Sequence, residues 1–192
     1  MHAMFVHKAI KSVLRPDDCI VFDGGDFCHF GRSLLPAVKP KRWFYVSSLG
    51  MLGSSIPTAL AAKIAYPDSR VIMMTGDGAF GFNGMEFDTA VRHKLNIVAI
   101  LGNDSAWGID RQIQLGLYGR PVATDLLQTR YDQMVQGLGG HGEFVERPED
   151  LGAALQRALD AGKPALLNVA VERAISPRAE AAIGRRKAAA PK

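Results

Sequence analysis

The sequence predicts an α/β fold, a doubly wound parallel sheet of about six strands with helices on both faces. Three observations carry that expectation. Short apolar runs of strand length alternate with helical patterns along most of the 192 residues. Two of these runs, Val71 to Met74 and Ile97 to Leu101, flank a helical segment, and each is followed by an acid, Asp77 and Asp104. Parallel strands put their carboxyl ends on one sheet edge, so the two acids should face a single crevice that can hold a cation.

The elements follow in order. The first four residues, MHAM, read as a start-site remnant ahead of one domain spanning 5–175. Val6, Ala9, Ile10, Val13 and Leu14 recur at helical spacing. That helix should stop at Arg15, because the residue before a proline is pushed out of the α region. Cys19 to Phe22 is a short buried strand running into Asp23-Gly24-Gly25-Asp26, where glycine permits a sharp turn or close approach to a ligand. Trp43 to Val46 is a second strand, followed by the glycine-punctuated loop 47–57 and a small-residue helix, Thr58 to Tyr66.

After the 71–101 unit, Ile109 to Asp125 has no clean period and holds Gly116, Gly119 and Pro121. It is expected to be a long functional loop, which makes Arg111 and Gln112 candidates for substrate contact. Tyr131 to Leu138 is a helix, Glu143 to Val145 a short strand, Glu149 to Ala161 an amphipathic helix and Ala165 to Val171 the last strand.

Composition excludes several classes. With 47% apolar and 22% charged residues the chain resembles an ordinary soluble domain. No apolar run reaches membrane-span length and no leader is evident, so the expectation is a cytoplasmic protein touching neither membrane nor nucleic acid. The two cysteines, Cys19 and Cys28, lack metal or redox spacing and read as reduced thiols. The net charge of +4 is that of residues 176–192 alone, where Arg178, Arg185, Arg186, Lys187 and Lys192 stand against Glu180. A basic, flexible tail on a neutral body is therefore expected.

Two ligand readings compete in the central unit. Gly76, Gly78 and Gly81 fit GxGxxG, with Asp104 as the ribose acid of an NAD-binding dehydrogenase domain. Two strands precede the motif, however, and Asp77 between its first two glycines would repel a pyrophosphate unless a cation intervened. Mg²⁺ resolves the conflict, since it takes six oxygens, usually from one or two carboxylates, a carbonyl, water and phosphate. Asp77, Asp104 and the carbonyl of Ala106 can supply three of them. The amides of Gly78 and Ala79 offer donors to the phosphates.

These residues carry a resemblance. Gly76-Asp77-Gly78, a fixed interval, then Asn103-Asp104 is similar to the thiamine diphosphate signature of the diphosphate-binding domain in the acetolactate synthase, oxalyl-CoA decarboxylase and 2-hydroxyacyl-CoA lyase family. Leu49-Gly50-Met51-Leu52-Gly53, followed by Pro57 and an alanine-rich helix, resembles the loop that holds thiamine in its bent form. The similarity runs from about Asp17 to Val171.

The resemblance implies thiamine diphosphate and Mg²⁺ as cofactors, with Asp77, Asp104 and the carbonyl of Ala106 on the metal. It makes Leu52 the apolar wedge under the thiazolium and the Gly50 carbonyl an acceptor for the aminopyrimidine. Gly24 and Gly25 are placed near the diphosphate, and Met51, Gly76, Gly78, Ala79, Trp107 and Gly108 are counted among the cofactor contacts. Asp104 stands where the family usually has asparagine, which adds one negative charge. The implied activity is that of a lyase or transferase acting on 2-oxo acids or 2-hydroxyacyl-CoA, in an enzyme that is a homo-oligomer when complete. The activating glutamate belongs to a pyrimidine-binding domain of the same or another chain, so this chain alone is expected to be inactive. The alternatives are the dehydrogenase domain and a non-catalytic cofactor-binding or assembly module.

Overall fold

The computed structural model describes residues 1–45 and 49–189. Six strands, β1 (Cys19–Phe22), β2 (Trp43–Tyr45), β3 (Val71–Gly76), β4 (Ile97–Asn103), β5 (His141–Val145) and β6 (Ala165–Ala170), form one sheet in the order β2-β1-β3-β4-β6-β5. Every pairing is parallel. The expected fold class holds. Side chains alternate across the central strands. Ile72, Met74, Val98, Ile100 and Leu167 pack into one core layer, while Val71, Met73, Ile97, Ala99 and Leu166 pack into the other. This is the period of two that a strand imposes when both its faces are covered.

The first layer is closed by α1 (Ala3–Val13), α2 (Gly25–Leu34) and α8 (Leu151–Asp160), through Val6, Ile10, Phe27, Phe30, Leu151 and Leu155. The second is closed by α3 (Ser55–Ala65), α4 (Asp77–Asn83), α5 (Glu86–Arg92) and α7 (Tyr131–Gly137), through Ile56, Leu60, Phe80, Phe87, Ala90 and Val135. Two further helices, α6 (Gly108–Tyr118) and α9 (Pro177–Ala189), pack against each other beside the sheet. The chain runs from β1 outward to β2 and then back across β1 to β3. That reversal opens a crevice beyond the carboxyl ends of β1 and β3, the usual ligand position in an open α/β sheet.

The structure corrects several expectations. Residues 1–4 are part of the fold, because α1 starts at Ala3, the His2 ring caps it, and the Met1 amino group donates to the Ala170 carbonyl at 3.2 Å. The single helix expected after Asp77 is two, separated at Gly84-Met85. The segment 109–125 is mostly the helix α6, closed by Gly119 in the left-handed region at φ 71°. Its period is hidden because none of its residues is fully buried. The tail expected to be flexible forms α9, with Ala179 and Ile183 buried. Val46 and the loop residues Ser47 and Ser48 lie outside the described residues, as do 190–192.

Candidate cofactor site

The carboxyl ends of β1, β3 and β4 and the segment after β6 surround an open crevice of about 600 Å³, counting the space at its mouth that is open to solvent. Gly24 and Gly25 come from the β1–α2 turn, Leu52 from the loop before α3, and Gly76, Asp77, Gly78 and Ala79 from the β3–α4 turn. Asp104, Ala106, Trp107 and Gly108 come from the β4–α6 loop. Gly50 and Met51 do not line it; Gly50 turns at φ 61° and Met51 is exposed. Asp26, Phe27 and Phe30, which sequence reasoning left out, form a further wall from α2. A helix beginning directly at Gly25 was the missing premise, and the Gly24 N-cap position was its only local signal.

Pairing of β3 with β4 sets Gly76 opposite Gly102, so Asp77, one residue beyond, and Asp104, two residues beyond, leave the same sheet edge and line one crevice. Asp77 is almost fully buried and each of its oxygens accepts one backbone amide. The Gly78 N–H lies at 3.0 Å and the Ala106 N–H at 3.1 Å. Lone pairs remain on both oxygens. Ala106 is an isolated bridge partner of Asp125, held by Trp107 N–H to the Thr124 carbonyl and Leu126 N–H to the Ser105 carbonyl, both 2.8 Å. In that arrangement Ala106 uses neither its own N–H nor its own C=O on the partner strand. Its N–H is thereby free for Asp77 and its C=O is left without a partner on that strand.

Burial pushes Asp77 up to about 6. Asp104 is pushed up to about 7, by burial first and the charge of Asp77 second. Two carboxylates so placed carry an electrostatic cost that a divalent cation between them would remove. Two carboxylates and a carbonyl are hard oxygen donors of the kind Mg²⁺ takes. Among the described residues no cluster of three or more His, Cys, Asp or Glu offers a denser metal site. The remaining metal oxygens would therefore have to come from ligand and water.

Glycine keeps the crevice open. A Cβ on Gly78 would lie 2.8 Å from the Trp107 ring, one on Gly24 2.4 Å from Leu52 Cδ2, and one on Gly108 2.6 Å from Asp104 Oδ2. At Gly76 an added Cβ would meet nothing within 4 Å, so that backbone is bare toward the cavity. The cradle and the donor set both fit a metal-bridged diphosphate. Gly81 and Glu86 are exposed on α4 and α5 and take no part, so the third glycine of GxGxxG has no ligand to approach. Glu86 instead accepts the Thr89 hydroxyl at 2.6 Å. Arg111 pairs with Asp125 at 2.9 Å and is not in the lining, contrary to the substrate-contact expectation.

Beneath the β4–α6 loop a buried polar network fixes Asn103. Its amide donates to Asn168 Oδ1 at 3.1 Å, and its oxygen accepts the Ser105 N–H at 3.1 Å. Asn168 in turn donates to Asp132 at 3.0 Å, and Asp132 is paired with Arg130. Satisfied networks of this kind specify one local arrangement.

Comparison with known proteins identifies the family. Residues 23–169 match the family model described as "Thiamine pyrophosphate enzyme, C-terminal TPP binding domain". The acetolactate synthase large subunit of Mycobacterium tuberculosis is 41% identical over 177 residues, which cover 92% of this chain and 32% of that protein. Human 2-hydroxyacyl-CoA lyase 2 is 35% identical over 174 residues, covering 88% of this chain and 27% of the relative. The solved thiamine diphosphate-dependent 4-hydroxybenzoylformate decarboxylase of Rhodococcus jostii superposes with a TM-score of 0.81 at 23% identity, over 90% of this chain and 33% of that one. The chain thus spans about a third of the length of the relatives it matches. By its matched residues and by its fold, the chain belongs to the C-terminal thiamine pyrophosphate-binding domain family of thiamine pyrophosphate enzymes.

Proposed function

We propose that this chain is the thiamine diphosphate- and Mg²⁺-holding part of a lyase or carboligase that acts on 2-oxo acids or 2-hydroxyacyl-CoA. The observation that carries the metal reading is the juxtaposition of Asp77, Asp104 and the inward-turned Ala106 backbone at one crevice wall. Asp77 and Asp104 would hold the cation with the Ala106 carbonyl, and the bare backbone around Gly76 and Gly78 would admit the diphosphate. When bound, thiamine diphosphate supplies a nucleophilic carbon and an electron sink for making or breaking a bond beside a carbonyl. The protein's part is to orient that group and keep water out, through Leu52, Trp107 and Phe27.

The chain spans about a third of its relatives, which supports further domains; on this reading one is a pyrimidine-binding domain on the same or another chain, and the complete enzyme is a homo-oligomer. Exposed Leu49, Met51, Phe82 and Met85, on the loop before α3 and around the end of α4, supply apolar surface for such a partner to cover. The two buried, unpaired cysteines fit the cytoplasm.

Isothermal titration of the chain with thiamine diphosphate tests the reading. Binding should require Mg²⁺ and vanish in Asp77→Ala. Binding of NADH without metal, and none of thiamine diphosphate with it, would overturn the assignment in favour of a dehydrogenase domain. Cofactor binding with no lyase or carboligase turnover, whatever pyrimidine-binding partner is added, would leave a cofactor-binding module.

A further inference from the structure

The β4–α6 loop reaches its shape against local preference. Ser105 sits at φ 55°, in the left-handed region that non-glycine residues rarely adopt. Such a backbone persists only where its surroundings over-determine it. Part of the support is Asn103, whose side chain accepts the Ser105 N–H. The backbone bonds to residues 124 and 126 add to it, and a further part comes from one side chain just after β6, the strand beside β4.

Arg173, three residues after β6 ends, donates from Nε to the Asp104 carbonyl at 2.9 Å and from Nη2 to the Ser105 carbonyl at 2.8 Å. Its Nη1 lies 2.9 Å from Asp125 Oδ1. Asp125 is the residue opposite Ala106 in the isolated bridge, and Arg111 holds the same oxygen at 2.9 Å. One guanidinium therefore grips the backbone at Asp104 and Ser105 directly, and Ala106 through Asp125. Its neighbours Glu172 and Ala174 line the crevice whereas Arg173 does not. It is placed to act through the loop and not on a bound ligand.

We propose that Arg173 is the positioning residue of the cation site: it holds Asp104 and the Ala106 carbonyl at the places from which they meet a metal alongside Asp77. The proposal rests on the metal and diphosphate reading above. Its chemistry is specific to arginine. Two carbonyls and a carboxylate in different directions need a planar fork with several fixed N–H donors, which a lysine ammonium on its flexible stem does not reproduce.

The test uses Arg173→Ala and Arg173→Lys in the full chain, with two readouts. The first is amide hydrogen exchange without any ligand. In Arg173→Ala, exchange should rise at Ala106, whose N–H is bonded to Asp77, and at Leu126, while amides of β3 and β6 keep their protection. Arg173→Lys should fall between, and added guanidinium should restore protection to the alanine variant. The second readout is the Mg²⁺ dependence of thiamine diphosphate binding, where Arg173→Ala should raise the Mg²⁺ concentration needed by about 10- to 100-fold. Unchanged exchange at Ala106 overturns the proposal, as does loss of protection throughout the sheet, which would make Arg173 a general structural residue. Unchanged Mg²⁺ dependence beside altered exchange overturns it too. If the wild-type chain binds no thiamine diphosphate with Mg²⁺, the functional reading fails. The exchange data then still decide whether Arg173 sets the loop.

Discussion

The Asp23 carboxylate, at the carboxyl end of β1, accepts the backbone N–H of Gly53 at 3.1 Å. The same group takes the N–H of Ser55 at 3.2 Å and of Gly24 at 2.8 Å. Asn83 of α4 closes the circuit by donating to the Gly53 carbonyl at 3.1 Å. Asp23 is fully buried, so the loop bearing Leu52 is fastened to β1 by a carboxyl group shielded from water. Replacing it with alanine strands three amides. Asp23→Ala should cost about 2–4 kcal/mol in urea unfolding and weaken cofactor binding as the loop loosens. A loss below about 0.5 kcal/mol would show that the loop is held by packing alone.

Asp104 gives a pH test with a definite sign. Its folded pKa is raised to about 7 from 3.8, so between those values the folded chain binds more protons than the unfolded one. Stability contributed by the protonated form is fully present below pH 3.8 and is lost as pH rises through 7. Asp104→Asn removes that loss. The variant should be more stable than wild type by about 1–2 kcal/mol at pH 8 and converge with it near pH 4, as read from urea midpoints in metal-free buffer. Saturating Mg²⁺ should close the gap at pH 8 by stabilising the wild type. A gap that is independent of pH would sink the electrostatic account.

Gly78 should tolerate no side chain. A Cβ there meets the Trp107 ring at 2.8 Å, and Trp107 is itself braced edge-on by Phe82 at 5.7 Å between ring centres. Gly78→Ala should displace the indole, cost about 1–3 kcal/mol and lower cofactor affinity. Tryptophan fluorescence in a Trp43→Phe background reports the displacement, and an unshifted spectrum would count against it. Gly24→Ala differs, because the 2.4 Å clash is with the end of the flexible Leu52 side chain. It should spare stability and affect cofactor binding.

The C-terminal helix should come loose without unfolding the sheet. Ser176 anchors it, donating its N–H to Asp26 at 3.1 Å, placing its hydroxyl 3.2 Å from the His29 ring, and capping α9 at Ala179. Ile183 then packs over Gly116, where a Cβ would sit 2.8 Å away. Ile183→Asp should undock and unfold α9, so that trypsin cuts after the already exposed Arg178, Arg185, Arg186 and Lys187, while the core loses less than about 1 kcal/mol in urea unfolding. Equal trypsin sensitivity in wild type and variant would mean that α9 is not docked.

Much of this molecule is legible in the chain alone, and the parts that are not share a cause. The six strands and the placing of acids beyond the ends of β3 and β4 rest on local properties: runs of apolar residues and glycine at turns. The helix α6 escaped because no face of it is fully buried, leaving no stripe to read. The tail helix escaped because only Ala179 and Ile183 are buried in a stretch rich in arginine and alanine.

The amino-acid sequence by itself determined which acids and glycines meet at one crevice, because that depends on residue type and on the sheet edge that neighbouring parallel strands share. Tertiary structure alone decided what holds them in place. Asp23 binds a loop thirty residues on, and Arg173 grips Asp104 from 69 positions away. Neither contact has any local signature, since a buried carboxylate or a forked guanidinium finds its partners only when strand order brings distant backbone groups within hydrogen-bond reach.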